Sequence, residues 1–244
     1  MKVALFIPCY IEQFYPQVGI ATLELLEKLG CEVVYPQGQT CCGQPLANSG
    51  MEKEALPIYE HFVDTFQENE YIVAPSGSCT YHVRHHYDTM HQTKEVSNVR
   101  NRTYDLVEFL VDILKIEKLD AYFPHKVGLH QSCHGLRGLR LGSPSETMEV
   151  GFSKINYLLD MVKGLERVPL ERVDECCGFG GTFAINEATV SVKMGKDKIF
   201  DHQKNQAEFI TAGDMSCLMH LDGIIKREKS PIGIRHIAEI LNGG

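Results

Sequence analysis

One cysteine pattern is written twice along this chain, and it constrains the fold more than any other feature. Cys9, the pair Cys41-Cys42 followed by Gly43, and Cys79 make the first copy; Cys133, the pair Cys176-Cys177 followed by Gly178, and Cys217 make the second. Each copy closes on Cys-x-x-His, with His82 and His220 in the last place. Of the nine cysteines, only Cys31 lies outside the register. Punctuation repeated in this way marks a duplicated unit. Each unit must then bring four sequence-distant thiols to one place.

The segments between the cysteines repeat as well. In the first half, Val3–Pro8 reads as a strand ending at Cys9, and Ile20–Leu29 as a helix stopped by Gly30. Cys31–Tyr35 reads as a strand, Glu54–Glu68 as a helix, Tyr71–Ala74 as a strand leading into Cys79, and Tyr104–Leu114 as a closing helix. In the second half, Lys126–His130 is a strand, Ser153–Lys163 a helix and Glu166–Pro169 a short extended piece. Ala188–Asn205 is a helix, Glu208–Thr211 a strand leading into Cys217, and Arg235–Leu241 a closing helix. Tyr71-Ile72-Val73-Ala74 before Ser78-Cys79 matches Phe209-Ile210-Thr211-Ala212 before Ser216-Cys217. Strands alternating with helices predict an α/β fold of two pseudo-symmetric, Rossmann-like parallel-sheet units. The expected units are residues 1–120 and 121–244, divided near Asp120–His125. In open parallel sheets, loops at the carboxyl ends of the strands carry the ligand site. Cys9, Cys79, Cys133 and Cys217 each follow such an end, and so do the loops with the Cys-Cys pairs.

The bulk properties exclude several partners. With 43% hydrophobic and 23% charged residues over 244 positions, the composition is that of an ordinary globular protein. The net charge of −8 and the lack of a basic run argue against nucleic acid and anionic membrane surfaces. No apolar stretch approaches the ~20 residues that span a bilayer, so an integral membrane protein is not expected. The apolar start Met1–Cys9 is too short for a signal peptide and reads as the first strand. A cytoplasmic setting follows as the expectation, and it keeps thiols reduced.

Thiolates are soft donors that suit iron-sulfur clusters, zinc and copper(I). Neighbouring thiolates such as Cys41 and Cys42 fit two corners of one tetrahedral ion poorly, but they can serve different irons of a cluster. Gly43 and Gly178 let a bulky inorganic core approach the backbone. Four thiolates per half match the usual requirement of one cluster. Two alternatives stay open. The pairs can carry thiol/disulfide chemistry without a metal, or the chain can be a zinc-binding interaction module. Cys31 begins a strand and reads as a small buried apolar residue.

These motifs resemble the cysteine-rich CCG-domain family of iron-sulfur oxidoreductase subunits, which includes the B subunit of heterodisulfide reductase. The resemblance rests on Ile7-Pro8-Cys9-Tyr10, Cys41-Cys42-Gly43-Gln44-Pro45, Ser76-Gly77-Ser78-Cys79, Cys176-Cys177-Gly178-Phe179-Gly180-Gly181-Thr182-Phe183 and Asp214-Met215-Ser216-Cys217-Leu218-Met219-His220. It covers nearly the whole chain. It implies an electron-transfer subunit with one iron-sulfur cluster per repeat, of the 4Fe-4S type. The cluster ligands would be Cys9, Cys41, Cys42 and Cys79 in the first repeat, and Cys133, Cys176, Cys177 and Cys217 in the second. Within the family, the branch these motifs are most similar to serves oxidation of L-lactate to pyruvate. Companion iron-sulfur and substrate-handling proteins act with it there, so the chain is expected to be inactive alone. Many members end each half in Cys-x-x-Cys, whereas His82 and His220 stand here, as further candidate ligands. That change argues against a noncubane cluster and against heterodisulfide reduction.

Other residues near the cysteines carry weaker signals. His85, His86 and His91 read as a polar helix face. His130 and His134 flank Cys133 and can tune it. Arg84, Arg137 and Arg140 offer positive charge to a carboxylate or to a cluster, although surface pairing is the commoner role. Gly178–Thr182 lacks the register of a dinucleotide loop and reads as backbone wrapping a metal site.

Overall fold

Val3, Ala4 and Leu5 form a run buried on both faces, the pattern of a strand inside a covered parallel sheet. This strand, β1 (Lys2–Leu5), pairs in parallel with β2 (Glu32–Val34) on one side and β3 (Ile72–Ala74) on the other. β4 (Thr103–Asp105) adds beyond β3, giving the order β2-β1-β3-β4. A second sheet repeats this arrangement. β5 (Lys126–Leu129) lies between β6 (Glu166–Arg167) and β7 (Phe209–Ala212), and β8 (Gly233–His236) closes the order β6-β5-β7-β8. All of these pairings are parallel. The computed structural model describes residues 1–148 and 151–243.

Helices fill the crossovers. In the first repeat they are α1 (Cys9–Phe14), α2 (Pro16–Lys28), α3 (Gln44–Asn48), α4 (Glu52–Phe66), α5 (Gly77–His86), α6 (Lys94–Arg102) and α7 (Leu106–Glu108), which runs on as a π turn over Phe109–Ile113. In the second they are α8 (Lys154–Leu159), α9 (Phe183–Asn186), α10 (Ala188–Lys204), α11 (Met215–Glu228) and α12 (Ile237–Asn242), with a π turn at His134–Gly138 after Cys133. Pro16 opens α2 at a position where its missing N–H has no intrahelical partner, and Gly30 at φ 83° ends the segment.

The two-repeat parallel architecture is the expected one, with one systematic difference. Tyr104–Leu114 and Arg235–Leu241 read as uninterrupted helices, but each begins as an edge strand, β4 or β8. The strands are short and pass straight into a helix whose cap is the strand's last residue, Asp105 or His236. A run this short gives no period-two signal beside the longer helical one.

One apolar core passes through both repeats, joining Val3, Leu26 and Leu106 to Ile210, Leu218 and Ile237. It includes the contact of α12 with α2, so each repeat's helices help to cover the other. A second cluster of Phe6, Tyr59, Phe62, Phe66 and Tyr87 fills the space between the first sheet and α4. The repeats also touch at equivalent points, where Ser76 and Asp214 form an antiparallel bridge.

Candidate metal centre

Each cysteine of the doubled pattern sits just beyond the carboxyl end of a strand. Cys9 opens α1 after β1, and Cys79 lies in the first turn of α5 after β3. Cys133 precedes the π turn after β5, and Cys217 lies in the first turn of α11 after β7. The positive end of a helix dipole favours thiolate over thiol at such positions. Cys41-Cys42 and Cys176-Cys177 arrive on the loops after β2 and β6.

These loops turn in the same way. Gly43 and Gly178 have φ of 88° and 90°. In each, the glycine N–H donates to the first sulfur of the pair, Gly43 to Cys41 Sγ at 3.4 Å and Gly178 to Cys176 Sγ at 3.3 Å. A Cβ on Gly43 would lie 2.5 Å from the Tyr59 ring of α4, and one on Gly178 would lie 2.5 Å from the Ser191 carbonyl of α10. The glycines are therefore required by backbone sign and by helix packing, rather than by room for an inorganic core alone.

The structure draws each set of four thiols together. Cys9 Sγ lies 3.6 Å from Cys41 Sγ. Hydrogen bonds from Cys42 and Cys9 hold the Cys41 thiol well below its ordinary range, while the same contact with Cys41 pushes Cys9 up. Cys42 is pushed up by its contacts with Cys41 and Cys79. The second set behaves alike. Cys133 and Cys177 hold Cys176 down, and Cys133 is pushed up in return. Its contact with Cys177 brings Cys217 down to about 6, and His130 acts in the same direction. In each set the first sulfur of the Cys-Cys pair is the one its neighbouring thiols favour as thiolate.

All eight of these cysteines line one cavity of about 710 Å³. It lies between the repeats, with Ser76, Ser132 and Asp214 on its wall. The Gly178–Thr182 loop passes over it toward α3, where Thr182 Oγ1 donates to the Asn48 carbonyl at 3.4 Å. Tyr10 and Phe179 meet edge to face across it, with ring centres 6.0 Å apart. Cys31 is buried in the apolar core away from both sets.

The histidines separate into two kinds. His82 is buried, and its Nε2 shares a 3.1 Å hydrogen bond with the Tyr59 hydroxyl, while Nδ1 has no partner. Burial and then His86 push it down to about 3. His220 turns its Nε2 to Ser191, 3.4 Å from the carbonyl and 3.5 Å from the hydroxyl. His130 does reach a thiol set: one of its ring nitrogens and the Cys177 and Cys217 sulfurs lie within 4.8 Å of one another. Its nearness to Cys133 in sequence hinted at this, but its sulfur partners come from β7–α11 and the second Cys-Cys loop. His134 instead packs on Tyr81 of α5, and His85 and His91 are exposed.

Two arginines are committed elsewhere. Arg84 makes a bidentate pair with Glu108, at 3.0 and 2.7 Å, and donates to the Thr103 carbonyl. Arg137 pairs with Glu146. Arg140 is exposed and has φ 56°. Asp214, which the sequence presented only as part of a motif and without a role, is nearly fully buried and accepts from Ser76 Oγ and Ser78 Oγ, each at 2.8 Å, and from Ser78 N at 3.1 Å. A carboxylate of the second repeat thereby caps helix α5 of the first.

Known proteins match this chain along its whole length. It is 42% identical over 246 aligned residues to lactate utilization protein A of Geobacillus sp. (strain WCH70), with 99% of each chain covered. It is 40% identical, with the same coverage, to lactate utilization protein A of Bacillus subtilis (strain 168). Among solved structures, a hypothetical protein from Helicobacter pylori shares the fold with a TM-score of 0.59 at 13% identity; the match takes in all of this chain and 49% of that one. The family model of the CCG cysteine-rich domain matches twice, over residues 3–84 and 127–222, the segments that carry the two thiol sets. The chain belongs to the CCG cysteine-rich domain family, in two copies.

Proposed function

We propose that this chain is an iron-sulfur electron-transfer subunit serving oxidation of L-lactate to pyruvate. Its two repeats, residues 1–120 and 121–244, would each hold one cluster of the 4Fe-4S type. Cys9, Cys41, Cys42 and Cys79 would hold the first, and Cys133, Cys176, Cys177 and Cys217 the second. The observation that carries this reading is the opening of both four-thiol sets onto one cavity of about 710 Å³. A structural zinc ion is enclosed by its four ligands and needs no such space. Inorganic clusters do need it, and four thiols per half are the donors they take.

A bound cluster supplies one-electron transfer. The protein's own residues fix the sulfurs, aim the Gly43 and Gly178 amides at Cys41 and Cys176, and cover the cavity with the Gly178–Thr182 loop. The reaction itself comes from the relatives, which are named for lactate utilization. Lactate oxidation releases two electrons, so companion iron-sulfur and substrate-handling proteins belong to this reading, and the chain alone does not turn over lactate. Among the described residues, no helix is long and apolar enough to cross a membrane. A cytoplasmic setting suits thiols that must stay reduced.

Iron and acid-labile sulfide, measured per chain on protein purified without oxygen, test the reading. About eight of each is expected for two four-iron clusters; zinc without sulfide would sink it. The 3.6 Å approach of the Cys9 and Cys41 sulfurs favours a second reading, thiol/disulfide exchange without a metal. Single replacement of Cys41 and of Cys42 separates the two. Each lowers iron content if a cluster is held, and changes only thiol turnover if none is.

A further inference from the structure

The two thiol sets are equivalent in the repeat, but the walls behind them are not. Aligned on Cys9 and Cys133, Phe6 corresponds to His130 and Ala4 to Gly128. The sheet ladders agree, with Ala4 opposite Ile72 and Gly128 opposite Ile210. In the first repeat, Phe6 packs edge to face on Phe62 and Phe66 of α4, at 4.9 and 5.8 Å between ring centres. In the second, an imidazole takes that place, and α10 backs it with His202 and Lys198, both fully buried. Gly128 makes the room, since a Cβ there would fall 2.1 Å from His202 Nδ1.

Polar groups in such a position need a reason. His130 is 1% exposed, and no oxygen or nitrogen partners either of its ring nitrogens, the Cys217 thiol being the polar group that interacts with it; both nitrogens of His202 lack a hydrogen-bond partner. A wall needed only for packing is better made of aromatic rings, as the first repeat makes it. The group in reach of His130 is the second thiol set, with a ring nitrogen and the Cys177 and Cys217 sulfurs mutually within 4.8 Å.

Resting on the cluster reading above, we infer that His130 is a nitrogen donor to the metal centre of the second repeat, in place of one of that repeat's four thiolates, so that the chain's two centres differ in ligand set. His202 packs on Gly128, two residues before His130 on the same strand face, and so belongs to the group of residues behind the donor. A neutral imidazole brings less negative charge than thiolate and raises the reduction potential. The second centre would then be the more easily reduced of the two, which would favour electron passage from the first repeat to the second.

The test uses the full chain purified without oxygen, with iron and sulfide counted before any spectroscopy. Pulsed EPR of the dithionite-reduced protein is expected to show strong nitrogen coupling at one of its centres. The coupling should change on labelling histidine with ¹⁵N and vanish in His130→Phe. In a redox titration of that variant, one midpoint falls and the other stays. If iron and sulfide are at full count but no histidine nitrogen couples, or the coupling survives His130→Phe, the inference is wrong and the cluster reading stands. Protein without sulfide overturns both. The ¹⁵N experiment needs no variant, so a poorly folding His130→Phe leaves the inference open to refutation.

Discussion

Replacing Asp214 by alanine should damage the repeat in which Asp214 does not lie. Its carboxylate makes no side-chain cap on its own helix α11. It accepts instead from two hydroxyls and one amide of the Ser76–Ser78 turn, and Ser76 Oγ in turn accepts from the Cys79 amide at 3.3 Å. Hydrogen bonds to a charged group contribute roughly 1.5–3 kcal/mol each and do not add. Removing the acceptor leaves buried donors unpaired, a loss on the order of 3–5 kcal/mol. Relief of its repulsion with the buried Asp105 offsets part of this. A net loss of about 3 kcal/mol is a large share of the ~5–15 kcal/mol of a typical domain. Because one core runs through both repeats, it should appear as a single transition in urea, shifted by about 1 M or more. Circular dichroism gives the midpoint. Differential alkylation with mass spectrometry gives the location: Cys79 in apo protein should react faster, and Cys217 should not change. A midpoint unchanged within about 0.3 M, or a gain at Cys217 with none at Cys79, would refute the cross-repeat cap.

Burial, and after it Asp214, push the Asp105 carboxyl well above the usual carboxylate range. The stability it contributes is full below the unfolded value near ~3.9 and is lost as pH rises through the folded one. Asp105→Asn keeps the acceptor for Val107 N, so it should be close to neutral at pH 4 and raise the melting temperature at pH 8; equal effects at both would contradict the assignment. Cys31→Ala should cost about 1 kcal/mol in a melt and leave iron and sulfide counts unchanged; a fall in either would bring Cys31 into the site. Gly43→Ala combines a positive φ with a Cβ 2.5 Å from Tyr59, for a loss of roughly 2–4 kcal/mol; an unchanged melting temperature would show that the loop adapts freely.

The doubled cysteine register was the strongest signal in the sequence, because it survives the divergence of everything around it. It placed the thiols after strand carboxyl ends, while the order of the strands in each sheet came from the structure. Strands β4 and β8 were missed because they are short and their last residues serve as helix caps. The cap by Asp214 was not legible either. In the sequence Asp214 stood only as part of the Asp214–His220 motif, and its role depends on the contact of the two repeats. His82 and His220 drew attention through spacing; their Nε2 atoms meet Tyr59 and Ser191, and Nδ1 of His82 has no partner. Spacing along a helix fixes which residues share a face, not what that face meets.

A duplicated chain carries its own comparison. Where the copies agree, as in the positive-φ glycines and the thiolate-bearing first cysteine of each pair, a shared job explains both. Where they differ at one register position, packing alone explains only one of them. Phe6 answers the demand for a filled core behind the first thiol set, and His130 answers it worse. Ser76 caps α5 through the Cys79 amide, whereas its counterpart Asp214 leaves α11 uncapped and reaches across. Asp105 and His236 both cap the helix after their strand, but His236 brings an imidazole into the same buried region as Asp214. Three of these departures put a charge or an imidazole where its counterpart is apolar, neutral or acidic, and Asp214 and His130 border the shared cavity or its sulfurs. Symmetry built the two thiol sets; these substitutions make one end of the cavity differ from the other, and the proposed one-way passage of electrons between two centres would need such a difference.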